Sequence, residues 1–164
     1  MHLKMLPQKE LAPRREQLRA EGRTVVLTNG CFDLLHVGHT RYLAQAKALG
    51  DVLVVGLNSD ESVRKIKGPG RPVTPETERA EILAALEAVD FVTIFGEDTA
   101  DTLVDLIHPD VYAKGGDYSA DPKSPLFPPE GHLVRRQGGV VRIIDYVPGH
   151  STADILTRLR HNLR

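Results

Sequence analysis

The chain has 164 residues, with 21 Lys plus Arg against 22 Asp plus Glu, a formal net charge of -1 and 41% hydrophobic residues. That length supports one domain with a substantial core, and the near-zero charge gives no whole-molecule attraction for nucleic acid or an anionic membrane, so neither is an expected partner. Cys31 as the sole cysteine excludes an internal disulfide, and with no apolar run of about 18 residues and no signal-peptide pattern the expected compartment is a reducing cytoplasm.

Residues 1–22 are charged, and Leu11, Leu18 and Ala20 around Arg14 and Arg15 predict a short helix ending at Gly22, an N-terminal helical extension to a domain covering 23–164. Thr24 to Thr28 reads as a buried parallel strand, and the spacing of Tyr42, Leu43, Ala46 and Leu49 predicts the helix that follows. The nearly continuous apolar run Asp51 to Leu57 predicts a strand covered on both faces, ended by Asn58, Ser59 and Asp60. A Gly- and Pro-rich basic loop, Lys65 to Val73, then precedes a helix capped by Thr74, with Pro75 at its first position and Ile82, Leu86 and Val89 as its buried stripe. Phe91 to Ile94 is the third strand. Asp98 or Thr99 opens a helix with Leu103, Leu106 and Ile107 inward, Pro109 stops it, and Val111 to Ala113 forms a short strand. Four prolines between Ser119 and Pro129 predict an irregular segment able to serve as a lid. A short helix near Gly131 to Gln137, a strand from Val140 to Ile144, and a last helix begun by Ser151 or Thr152 with Ile155, Leu156 and Leu159 inward complete the chain.

Strands alternating with helices require a parallel sheet with helices on both faces, so the expected fold is a single Rossmann-like, doubly wound α/β domain with about five parallel strands. Ligands of such folds bind beyond the carboxyl ends of the strands, and the loops carrying His36, Lys67, Lys114 and Ser151 all fall there. The run Gly30-Cys31-Phe32-Asp33-Leu34-Leu35-His36-Val37-Gly38-His39 puts two imidazoles three residues apart on one side of a first helical turn, where orphan N–H groups and the helix dipole attract anions. Asn29, Gly30, Cys31 and Phe32 bring backbone N–H groups to the same junction, and Gly38 keeps the backbone clear for a nucleotide. Lys65, Lys67 and Arg71 add three cations, and Gly149 to Thr152 add hydroxyls and free N–H groups at a helix start. Singly, each has an ordinary explanation: a turn glycine, a core histidine, a solvated basic loop, a surface Arg79, a helix cap. Together they predict a polyphosphate site.

The ten-residue run resembles the HxGH nucleotidyltransferase superfamily, in its cytidylyltransferase-like branch. Lys67-Gly68, Arg71-Pro72-Val73, Arg79, Ala85 to Asp90, Lys114-Gly115-Gly116-Asp117-Tyr118, and Gly149 with Ser151-Thr152 are similar to the adenylyltransferase domain of bacterial ADP-heptose synthesis, from about Val25 to Leu159. The resemblance implies transfer of AMP from ATP to D-glycero-β-D-manno-heptose 1-phosphate, yielding pyrophosphate and ADP-heptose, a lipopolysaccharide precursor, with Mg²⁺. It implies phosphate donors at His36 and His39, a triphosphate cation at Lys67, a phosphate contact at Arg79 and a helix-end phosphate site at Ser151 and Thr152. Lys114, Gly115 and Asp117 are expected to contact nucleotide or acceptor, and Asp33, Arg71 and Tyr118 the acceptor. A homodimer is the expected assembly, and because 164 residues leave no kinase-sized region beside the domain, a separate sugar kinase is the expected partner. Two departures from the family pattern stand out, a longer Pro-rich segment after Tyr118 and His150 in the final motif.

A CTP-dependent cytidylyltransferase for glycerol 3-phosphate or another polyol phosphate shares the fold and histidines. Against it, the stretch Tyr146 to Thr152 lacks the Arg that opens the corresponding motif in those enzymes. A non-catalytic nucleotide sensor would need the same pocket without turnover, and both histidines and the basic loop argue against it. Cys31 at a strand end is a small buried residue rather than a nucleophile. Asp33, His36 and His39 lack the i, i+4 histidine pair and a fourth ligand for zinc, so no protein-held metal site is expected.

Overall fold

The computed structural model describes residues 3–145, 149 and 151–162. Five parallel strands, β1 (Val25–Gly30), β2 (Val52–Asn58), β3 (Phe91–Phe95), β4 (Val111–Gly115) and β5 (Val140–Ile144), form one sheet in the order β3-β2-β1-β4-β5. The chain steps outward from β1 to β2 to β3, then returns to lay β4 against the other side of β1. The winding therefore reverses between β1 and β4, the place where open α/β sheets bind ligands. All seven residues of β2 are buried, as a strand covered on both faces demands.

Helices α1 (Leu11–Ala20), α5 (Asp101–Ile107) and α6 (Gly131–Arg136) close one face of the sheet, where Leu11, Leu18, Leu103, Ile107 and Val134 pack with Leu27, Val54 and Tyr112. Gly56 lets α5 lie close, since a Cβ there would come within 2.5 Å of Leu103 Cδ1. Helices α2 (Val37–Lys47) and α4 (Glu76–Ala84) close the opposite face through Leu43, Ala46, Ala80, Leu83 and Ala84. The N-terminal segment joins the fold directly: Met5 makes a parallel bridge to Val92, and Lys4 donates to the carbonyls of Leu86 and Val89.

Four details differ from the sequence expectation. Lys65, Ile66 and Lys67 are not loop but the last turn of α3 (Asp60–Lys67), which Ser59 caps by accepting from Ser62 N. Pro75, not Thr74, is the N-cap of α4, and the buried face of α4 is Arg79, Ala80, Leu83 and Ala84, leaving Ile82 47% exposed. The helix expected from Asp98 or Thr99 begins at Asp101. In α7 (Thr152–Asn162) no residue is buried, and Leu159 faces out. Residues 116–130 hold only turns, as their prolines require, and no described helix is long and apolar enough to cross a membrane.

Candidate active site

A cavity of about 850 Å³ opens beyond the carboxyl ends of the strands, at the upper end of the roughly 300–1,000 Å³ typical of small-molecule pockets. Every strand contributes its last residues: Asn29 and Gly30 from β1, Asn58 from β2, Phe95 from β3, Lys114 and Gly115 from β4, and Ile144 from β5. The fold thus turns five distant sequence segments into one rim.

His36 is the N-cap of α2 in extended backbone conformation, and its carbonyl accepts from His39 N at 2.9 Å. The two imidazoles stack with centroids 3.8 Å apart, both on the cavity wall. Phe32 stands behind them, its ring tilted against His39 at 5.4 Å. Its backbone has φ 42°, a left-handed conformation that bulky residues resist, so the packing of this buried ring holds the loop in shape. Burial, then the neighbouring His36, pushes the His39 imidazole down to about 4. His39 Nδ1 is buried without a hydrogen-bond partner among the described residues. At neutral pH His39 is therefore an uncharged group able to donate one N–H to an incoming oxygen.

Lys67, at the end of α3, and Arg71 line the same side of the cavity. Asp33 organises this region: Oδ2 accepts from Arg71 Nε at 2.5 Å, and Oδ1 accepts from Val73 N at 2.8 Å and Thr74 N at 3.2 Å. One buried carboxylate thus pins the 71–74 segment and leaves the far nitrogens of Arg71 for a ligand. Arg79, expected to touch phosphate, is instead sealed in the interior and absent from the cavity wall. Its guanidinium donates to Thr74 O, Cys31 O, Asn58 O and Asp60 Oδ1 at 2.5–3.0 Å, tying the histidine loop to the end of β2 and the start of α4. Burial pushes the Cys31 thiol up despite the nearby charges of Lys67 and Arg79, so it stays protonated at neutral pH and is no activated nucleophile.

On the other side, Lys114 Nζ donates to Asn29 Oδ1 at 3.1 Å and lies 5.7 Å and 5.0 Å from the rings of Tyr112 and Tyr118. Burial pulls the Lys114 ammonium down, opposed by the charge of Glu130. Asp117 and Gly149, the latter at φ 76°, are exposed and do not line the cavity, whereas Ser151 and Thr152 do. Ser151 caps α7, accepting from Asp154 N and donating to Asp154 Oδ2. Tyr146, Val147, Pro148 and His150 of the final motif lie outside the described residues. Sequence reasoning missed Tyr42, Asp98, Thr99 and Glu130 on the wall. Only Tyr42, on the inward face of α2 with its hydroxyl on Thr28 and Ala113, had a usable signal in helical spacing.

No three His, Cys, Asp or Glu side chains come together as a metal cage among the described residues, while Asp98, Glu130 and Asp145 stand separately on the wall. That donor set fits a hard divalent cation carried in on phosphate oxygens, with one carboxylate at most added by the protein.

A doubly wound sheet with a stacked histidine pair at a helix start, flanked by cations over its switch point, defines a nucleotidyltransferase-type domain. The chain belongs to the cytidylyltransferase-like family, whose profile matches residues 27–155. Members of this family generally use a divalent metal. The chain is 53% identical over 141 residues to the bifunctional protein HldE of Syntrophotalea carbinolica, covering 86% of this chain and 28% of that protein. It is 50% identical over 153 residues to the protein of the same name from Rhodopseudomonas palustris, covering 93% of this chain and 30% of the relative. The chain thus spans less than a third of the length of these relatives. A solved structure, the lipopolysaccharide core biosynthesis protein from Thermoplasma volcanium, superposes with TM-score 0.62 at 28% identity, covering 77% of this chain and 98% of that one.

Proposed function

We propose that the chain transfers AMP from ATP to D-glycero-β-D-manno-heptose 1-phosphate, releasing pyrophosphate and forming ADP-heptose. An oxygen of the sugar phosphate attacks the α-phosphorus in line, a new P–O bond forms, and the bond to the bridging oxygen of the β-phosphate breaks. The chain supplies positioning and charge neutralisation, and no side chain becomes covalently linked. The observation that carries this is the stacked His36–His39 pair at the start of α2, facing a cavity that also holds Lys67, Arg71 and Lys114. His36 and His39 donate to oxygens of the α-phosphate and the departing pyrophosphate, and Lys67 meets the charge that accumulates there together with Arg71, which the sequence instead assigns to the acceptor but which lines the cavity beside Lys67. A divalent cation such as Mg²⁺, with Asp98 or Asp145 as the carboxylate the protein could add, would supply further charge neutralisation for the leaving group. The acceptor must already carry its phosphate, so a sugar kinase acts upstream.

ATP rather than CTP is favoured by Lys114-Gly115-Gly116-Asp117, by the absence of Arg from the Tyr146 to Thr152 stretch, and by relatives named HldE at about 50% identity. The test is kcat/KM for both nucleotides with heptose 1-phosphate and with glycerol 3-phosphate, following pyrophosphate. A pocket matched to one base leaves polar groups unpaired with the other at about 1–3 kcal/mol each, so ATP with heptose 1-phosphate should lead by roughly 10- to 100-fold. Preference for CTP with glycerol 3-phosphate overturns the assignment.

A further inference from the structure

Glu130 stands on the cavity wall, where its charge favours the ammonium of the neighbouring Lys114. It is 7% exposed, and its Oε1 accepts from Ala100 N at 3.1 Å, joining the start of α6 to the start of α5. The Tyr112 hydroxyl lies beside this carboxylate and donates to Asn29 Oδ1 at 2.7 Å, the oxygen that also receives Lys114 Nζ. A buried carboxylate is costly; its charge favours the buried ammonium of Lys114, but it also keeps an acceptor on the cavity wall that the fold does not use.

Its position supplies the reason. In-line attack requires the acceptor and the departing pyrophosphate to lie on opposite sides of the α-phosphorus. His36 and His39 sit at the start of α2, with Lys67 and Arg71 alongside, on the side of the sheet that α2 and α4 cover. Pyrophosphate is therefore drawn to that side and the acceptor enters from the other, where Lys114, Asn29 and Glu130 stand beside α5 and α6. Lys114 suits the acceptor phosphate. An anionic, acceptor-only group suits hydroxyl hydrogens and repels a second phosphate.

We propose that Glu130 reads the hydroxyls of the acceptor, accepting hydrogen bonds from the sugar of a sugar phosphate whose phosphate is held by Lys114. This deepens the proposed function and rests on its assignment of a phosphorylated polyhydroxyl acceptor. Phe127 and Pro128, both buried, fix the end of the Pro-rich segment and so aim Glu130 into the cavity. That segment then acts in specificity.

The test compares the full chain with Glu130→Gln, which keeps shape and an oxygen for Ala100 N, across heptose 1-phosphate, mannose 1-phosphate and glycerol 3-phosphate, each with ATP and with CTP. For whichever acceptor the parent uses best, its KM should rise about tenfold or more while the nucleotide KM stays within about twofold. Best use of glycerol 3-phosphate with CTP would overturn the proposed function while still testing Glu130 on that acceptor. Should Glu130→Gln not fold, Glu130→Asp, which keeps the charge and withdraws it by one methylene, carries the same test. An unchanged acceptor KM, an equal rise in nucleotide KM, or a parent that turns over none of the acceptors overturns the inference.

Discussion

His39 meets its ligand uncharged, because burial and His36 hold its imidazole down to about 4. A triphosphate beside it favours the protonated form and raises that value, so binding must take up protons at any pH between the free and bound values, and affinity must strengthen as pH falls through that window. Titration calorimetry of ATP in buffers of different ionisation enthalpy should show this uptake, and His39→Asn should reduce it, leaving the part due to His36 and the nucleotide itself. His36→Ala and His39→Ala should each lower kcat by about 10² to 10³, as loss of a transition-state donor does, with a smaller change in nucleotide KM. Arg79 makes the opposite prediction. With its guanidinium sealed among three carbonyls and Asp60, Arg79→Met should cost about 3 kcal/mol of folding stability by urea titration. A stable Arg79→Met protein with a raised ATP KM would restore it as a phosphate contact.

Among the elements, the segments around the cavity divide into pinned and loose parts. Asp33 holds residues 71–74, and Phe127, Pro128 and Glu130 hold the end of the Pro-rich segment, which leaves 68–70 and 119–126, the latter closed on itself by Ser119 N donating to Leu126 O at 2.9 Å, as the stretches able to close over a ligand. Amide exchange should slow in those two stretches on adding ATP, Mg²⁺ and sugar phosphate, and equal exchange with and without ligand would exclude a lid. Strands β1 and β2 were legible because continuous apolar runs have no other use in a chain of this polarity. Helix α3 was not, since Ser62 and Val63 are its only buried residues and its basic end merges with Gly68 and Pro69. In α4 apolar size misled: the inward face consists of two alanines, Leu83 and a buried arginine, while Ile82 points to solvent. Glu130 was hidden for a different reason, as its partner Ala100 lies 30 residues away and no local spacing encodes the pair.

At the scale of the whole molecule, the strand alternation was enough to give the parallel sheet, and the sheet order puts the histidine loop at its switch point. The same arrangement couples the site to global stability. An exposed imidazole titrates near 6.5, while His39 in the folded chain titrates near 4, so between those values the unfolded chain binds more protons than the folded one. The stabilising contribution from His39 is therefore fully present above about 6.5 and is lost progressively as pH falls toward 4. Urea titrations at pH 7.5, 6 and 5 should show the parent losing stability across this interval more steeply than His39→Asn, which has no proton to gain. Saturating ATP should flatten the slope of the parent, because a bound anion brings the folded-state value of His39 back toward that of the unfolded chain. Equal slopes for parent and His39→Asn would mean that His39 titrates alike in the folded and unfolded chains, and the neutral-donor role assigned to it would fall.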